Sequence, residues 1–207
     1  MTEVTLAIGA AAVTSDGFPG ELKSLVVNPT TRAVTHLVIE PERGRGTGLA
    51  RLVPFDHADA SAEPIRLRYT EAEFKDLSPA EETLAEFVAG YEVPVQLLPA
   101  GEGWRSAGGP VADGGTIPQI REMETIPLVP DTEVAESRDD QVHATDGDVG
   151  QFHGLRVNPD NGEVRHVLLR RHPWGHAEVA IPIGSVSGFG AGVQLSITRR
   201  EVKDLTR

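Results

Sequence analysis

Apolar and β-branched residues fall in short runs broken by glycine, proline and asparagine, a spacing that favours strands over helices. Leu25-Val26-Val27 and residues 34–39 flank Asn28-Pro29-Thr30-Thr31-Arg32, a turn-initiating stretch, and so predict a hairpin. Leu52-Val53-Pro54-Phe55 and Ala180-Ile181-Pro182-Ile183 read as short strands whose proline cannot donate to a ladder, which places it at an edge or a bulge. Residues 65–69 and 193–197 add one more strand each. Thr70 with Glu73, and Thr198 with Glu201, have the spacing of a capping box and announce two short helices. Phe74 and Leu77 share a face of the first helix, as Val202 and Leu205 do in the second, so each helix can cover an open end of β structure.

These elements repeat. Asp16, Gly17, Gly20, Leu25, Val27, Asn28, Pro29, Val34 and His36 recur as Asp146, Gly147, Gly150, Leu155, Val157, Asn158, Pro159, Val164 and His166, always 130 residues on. The offset then becomes 128, and Pro54, Leu67, Thr70, Glu73, Lys75, Asp76 and Leu77 match Pro182, Leu195, Thr198, Glu201, Lys203, Asp204 and Leu205. Upstream, Glu3-Val4 stands opposite Glu133-Val134, so the copy starts with the first residues; Met1 to Ser15 has no positive start, carries Glu3, and reads as part of the fold rather than a leader. The second turn has Gly162 where a positive φ is needed, whereas the first has Arg32, which predicts an altered loop there. Five or six short strands closed by a helical turn describe a small barrel. The expected fold is therefore all-β, with two tandem barrels over residues 1–77 and 133–207, each ending in a short helix and the two packed with pseudo-twofold symmetry.

Residues 78–132 form the connector. It is rich in Gly and Pro and holds most of the acidity: its charge is −7, against −3 for residues 1–77 and −2 for residues 133–207. Ser78-Pro79-Ala80-Glu81 looks like a helix start and Gly90 like a stop, which predicts a helix over 79–89 with Leu84, Phe87 and Val88 as its apolar stripe, resting on a barrel face or on a partner protein. Residues 91–98 and 117–129 read as extended, and residues 100–115, with six glycines, as a mobile segment, so the connector is expected to be partly ordered.

The whole chain carries −12, which disfavours nucleic acid as a partner, and no apolar stretch reaches the roughly 20 residues of a spanning helix. The absence of cysteine removes thiolate chemistry. His36 and His166 hold equivalent strand positions and read as hydrogen-bonded core or interface histidines. His172, His176 and Glu178, with His143 and His153 nearby in sequence, are the candidate metal ligands. Arg170-Arg171 and Arg199-Arg200 offer positive charge to an acidic partner or to the connector. The glycine-rich stretches at 44–48 and 188–192 lead into strands, not helices, and so lack the context of a phosphate cradle. Ser185 and Ser187 lack a nucleophile elbow.

Asp-Gly-x-x-Gly ahead of Leu-x-Val-Asn-Pro, followed by Val34-Thr35-His36-Leu37-Val38-Ile39 or Val164-Arg165-His166-Val167-Leu168-Leu169, resembles the PRC-barrel family, in two copies over roughly 150 of the 207 residues. That family includes the cytoplasmic part of the photosynthetic reaction centre H subunit and the barrel of a ribosome maturation factor. The resemblance implies two PRC-type barrels and a non-enzymatic, cytoplasmic scaffold or adaptor that binds a protein and needs no cofactor. It leaves open homo-oligomerisation, metal or small-ligand binding through the second-repeat histidines, and a role in ribosome assembly or RNA metabolism. The resemblance reaches neither the membrane-spanning helix of the reaction-centre subunit nor the separate N-terminal domain of the ribosome factor, so neither activity is expected to transfer residue by residue.

Overall fold

The computed structural model describes residues 3–42, 49–87, 120–138, 140–170, 178–190 and 192–205, with backbone alone for 81–87 and 120–127. The first half runs β1 (Val4–Ala7), β2 (Ala11–Val13), β3 (Pro19–Asn28), β4 (Ala33–Pro41), β5 (Arg51–Pro54), β6 (Ala58–Asp59), β7 (Ile65–Leu67) and α1 (Glu71–Asp76). The connector supplies β8 (Glu81–Phe87) and β9 (Ile120–Pro127). The second half runs β10 (Val134–Ser137), β11 (Gln141–Ala144), β12 (Gly147–Val157), β13 (Val164–Arg170), β14 (Glu178–Pro182), β15 (Val186–Gly188), β16 (Val193–Leu195) and α2 (Arg199–Asp204).

The fold is mostly β, and the two halves build sheets of the same order. One sheet runs β5-β4-β3-β2-β7-β6 and the other β14-β13-β12-β11-β16-β15. β5 and β6 lie at opposite ends of their path, yet only the 3-10 turn Phe55–His57 separates them, so the sheet must curl back on itself into a nearly closed, barrel-like form. The turn Ile183–Ser185 stands in the same place between β14 and β15. Pro54 and Pro182 end β5 and β14, the strands at one end of each path, as a residue without an N–H requires.

The seventh strand of each sheet comes from the other half. β1 pairs antiparallel with β12, Val4 opposite Val157 and Leu6 opposite Leu155. β10 pairs antiparallel with β3, Val134 opposite Val27 and Glu136 opposite Leu25. Room for the incoming strand exists because β2 and β11 cover only the first part of β3 and β12; the ladders to β4 and β13 shift register at Lys23 and His153, where one neighbour gives way to the other. The repeat boundaries therefore divide the chain into matching strand lists, but the first strand of each segment pairs in the sheet of the other. Gly154 allows β1 its close approach: at φ 158°, a Cβ there would collide with the Leu6 carbonyl and lie 2.9 Å from Ala7 Cα.

The hairpin tips also meet. Val34 N–H donates to the Gly162 carbonyl and Val164 N–H to the Arg32 carbonyl, each at 2.9 Å, and Ala33 bridges Glu163. Each contact is the other's copy under the 130-residue offset, the signature of a local twofold relation. Here the altered loop expected at Arg32 gives way to a common one: Arg32 takes φ 55° where Gly162 takes 69°. The guanidinium of Arg32 donates to the Ile183 carbonyl at 3.2 Å, a contact that helps hold the left-handed backbone. One apolar cluster joins both halves and includes Leu6, Leu25, Leu37, Phe74, Leu155, Leu169, Ile181 and Val202.

Both capping boxes are present: the Thr70 and Thr198 hydroxyls accept from the N–H of Glu73 and Glu201, whose carboxylates accept in return from the N–H of Thr70 and Thr198 at 2.8 Å. Phe74 and Val202 are buried and Leu77 packs against the core, but Leu205 is exposed. The repeated Asp-Gly signature serves these helices, since Asp16 and Asp146 accept from the N–H groups of Glu71 and Arg199.

The helix expected over 79–89 is instead a strand. β8 pairs with β9 from Glu81 opposite Pro127 to Phe87 opposite Ile120, which accords with the extended reading of that part of 117–129. The reason lies just upstream. Leu52 N–H donates to the Ser78 carbonyl and Ala80 N–H to the Ala50 carbonyl, so the supposed helix cap is already extended against β5. Long-range pairing outweighs a local cap signal worth about 1 kcal/mol. Leu128 N–H donates to the Ala80 carbonyl, and a small second core of Val26, Val38, Ala50 and Ala80, with Leu52, Val129 and Ala135 against it, forms on the outer face of the first sheet. The expectations for 91–98 and 100–115 fall outside the described residues. Among the described residues, no helix is long and apolar enough to cross a membrane.

Candidate functional site

The equivalent histidines sit at the exchanged strands. His36 on β4 stands 3.5 Å from Glu133, which leads into β10, and His166 on β13 stands 3.5 Å from Glu3, which leads into β1. Each pair ties an incoming strand to the sheet that receives it. The two joints differ in their hydrogen bonds. Thr35 donates to the Glu133 carboxylate at 2.6 Å, whereas position 165 is Arg, paired with Glu163, and the buried Nδ1 of His166 has no hydrogen-bond partner.

The candidate metal residues are only partly assembled. Glu178, at the start of β14, lies 3.7 Å from Nε2 of the nearly buried His153 and 3.8 Å from Arg156. Nε2 also stands 3.2 Å from a guanidinium nitrogen of Arg170, and because a guanidinium can only donate, Nε2 is the unprotonated nitrogen. Burial, then the positive charge of Arg170, holds the His153 pKa below its usual range; Glu178 opposes that shift and Arg138 adds to it. A neutral imidazole acted on by the positive charges of Arg170 and Arg138 makes a poor setting for a divalent cation. His143 stands apart, 2.6 Å from Asp148. His172 and His176 lie outside the described residues, and no group of three or more metal-binding side chains occurs among the described ones. Of the candidate interaction residues, Arg170 belongs to the His153 cluster, Leu84 and Phe87 lie on strand β8 rather than a helix, and Val88 and Arg171 are outside the described residues.

Glu136 was not a candidate from sequence. It is fully buried on β10, where its Oε1 accepts from the Gly190 N–H at 2.7 Å while Oε2 has no hydrogen-bond partner. Burial pushes its pKa up to about 7, opposed by the Gly190 bond and reinforced by the charge of Asp140. The signal was available in the repeat, because Glu136 falls opposite Leu6 at the 130-residue offset.

The repeated asparagines close their own turns, and Arg138 reaches across to the first half. Asn28 accepts from the N–H groups of Thr30 and Thr31, Asn158 from that of Asp160, and Arg138 reaches the Ile8 carbonyl at 2.9 Å. Ser187 and Ser196 donate to the carbonyls of Gln194 and Ser185. No protein-family model matches the chain, and comparison with curated proteins finds no match.

Proposed function

We propose that this chain is a tandem PRC-barrel protein that works as a non-enzymatic, cytoplasmic adaptor for a protein partner. The observation that carries this reading is the use made of the repeated polar residues. Asp16 and Asp146 cap helices, while Glu3, Glu133, His36 and His166 fasten exchanged strands. Side chains that the repeat keeps in both copies thus maintain the frame instead of converging on one reactive centre. Matching strand orders and a core shared by both halves support a rigid platform on which surfaces can diverge.

The test is capture from lysate of the native host after chemical crosslinking, with the full chain as bait. The reading expects a partner protein recovered in stoichiometric amount that survives nuclease treatment. Recovery of nothing above background counts against it, and recovery that nuclease abolishes points to an RNA-linked role.

A further inference from the structure

The two hairpin tips match in backbone and differ in chemistry. Arg32 and Gly162 both take a left-handed φ, and each tip carbonyl accepts from the other half, Gly162 O from Val34 N–H and Arg32 O from Val164 N–H. The residue before them is Thr31 in the first half and Asn161 in the second. Asparagine before glycine is a chemically labile pair, because no Cβ on the next residue hinders attack of its nitrogen on the side-chain amide carbon. The chain has three asparagines, and Asn28 and Asn158 both precede proline, whose nitrogen carries no hydrogen and cannot make that attack. Asp16-Gly17 and Asp146-Gly147 close the same ring only as protonated acids. Both aspartates accept from a helix N–H, and hydrogen bonds from Thr14 and then Glu71 hold the Asp16 pKa below its usual range.

The folded tip restrains its own labile pair. Asn161 is exposed, so water reaches its amide. Gly162 N–H donates to the Asn158 carbonyl at 2.9 Å, however, and Asn161 Oδ1 accepts from Glu163 N–H at 3.1 Å. The attacking nitrogen and the amide it would attack are each committed elsewhere, and both bonds must break before they meet. Gly162 is also buried, and a Cβ on it would lie 2.5 Å from the Val34 carbonyl and 3.2 Å from the Phe55 ring. The backbone has little room to pivot.

We propose that Asn161 is a site of spontaneous deamidation which the folded tip holds back, and that its isoaspartyl product uncouples the two hairpin tips. The inference stands apart from the adaptor reading. Gly162 N gives its proton to solvent and attacks Asn161 Cγ; the new N–Cγ bond closes a succinimide as the Cγ–N bond of the amide breaks and ammonia leaves. Water then opens the ring. Attack at Cγ yields aspartate, whose carboxylate can still accept from Glu163 N–H. Attack at the main-chain carbonyl yields isoaspartate, in which the chain runs through Cβ and Cγ and gains one backbone carbon. The former acceptor is now part of the backbone, and Gly162, packed against Val34 and Phe55, must shift its carbonyl away from Val34 N–H. The first tip, with Thr31 at this place, has no amide to lose.

The test ages the full chain at mildly alkaline pH, in buffer and in enough guanidinium chloride to unfold it. Products are mapped by peptide mass, and isoaspartate is scored by enzymatic methylation of its α-carboxylate. Modification should fall at Asn161 and run at least about tenfold slower in the folded chain, because ring closure there waits on local opening of the tip. Folded chains carrying isoaspartate should exchange the Val34 and Val164 amides at least about tenfold faster than fresh wild type. Asn161→Asp, which gains the charge without the extra backbone atom, should keep both amides protected, and Asn161→Thr, which copies the first tip, should fold and stay unmodified. Equal rates in the folded and unfolded chain overturn the restraint, and modification mainly at Asp16 or Asp146, or none at all, overturns the assignment. Unchanged exchange at Val34 and Val164 in the isoaspartyl chain, or the same acceleration in N161D, overturns the uncoupling.

Discussion

β1 and β10 make the same crossing with different chemistry. Each enters the sheet of the other half, and each is tied by a glutamate to a histidine of the receiving sheet. At the centre of the crossing β1 places Leu6 opposite Leu155, whereas β10 places Glu136 opposite Leu25. Both side chains are fully buried. One crossing is therefore an apolar lock and the other contains a carboxylate that burial keeps near its titration point. The backbone frame is specified well enough by its remaining contacts to tolerate a charge-bearing group at one of its two joints.

The largest effect separates the two joints directly. Leu6→Ala should lower stability by about 4 kcal/mol, through lost burial and the cavity left behind. Glu136→Ala at pH 8 should cost far less, because removing an ionised buried carboxylate offsets the lost packing. Denaturant unfolding of the two variants checks this, and equal losses would erase the distinction.

Next in size is the pH response. Folding raises the Glu136 pKa to about 7 from an unfolded value of 4.5, so between those values the folded chain binds more protons than the unfolded one. Stability from this residue is highest below pH 4.5, falls as pH rises, and levels off above 7, a change of about 3 kcal/mol at roughly 1.4 kcal/mol per decade. Glu136→Leu, which copies the other joint, should match wild type near pH 4.5 and exceed it by up to about 3 kcal/mol at pH 8. A constant difference across that range would show that Glu136 is not the source. Asp16, Glu73 and Glu201, each lowered first by a hydrogen bond from a threonine, act in the opposite sense and cancel in this comparison.

The smallest effect concerns the helices, where the halves are alike. Thr70→Ala and Thr198→Ala should each cost about 1 kcal/mol, the worth of a cap. If Thr70→Ala costs clearly more, α1 also anchors the connector strand that leaves it toward β5.

The repeat made much of this fold legible. Hairpin, edge prolines and capping boxes are local signals, and the structure places them at Asn28, Pro54 and Thr70 and at their copies. Strand exchange had no local signal. Val-Thr-Leu-Ala can lie beside β3 or β12 with the same alternation, and what selects β12 is a distant contact, the close approach at Gly154. The connector misled for a related reason: Ser-Pro-Ala-Glu starts helices, but backbone pairing with β5 and β9 outweighs that preference. Glu136 was readable only by asking where the copies disagree, whereas matching them directs the eye to His36 and Asp16. Glu178 was found, but its neighbours are Arg156 and His153 rather than a metal-binding set.

Reciprocal strand exchange is the central claim, and the cysteine-free chain allows a direct test. Thr5 lies opposite Arg156 across the exchanged ladder, while pairing within its own half would place it opposite Val26, the copy of Arg156. The measurement is disulfide formation in two double-cysteine variants under mild oxidation, read by mass. The account predicts rapid crosslinking of Thr5→Cys with Arg156→Cys and none of Thr5→Cys with Val26→Cys; the reverse pattern would contradict it.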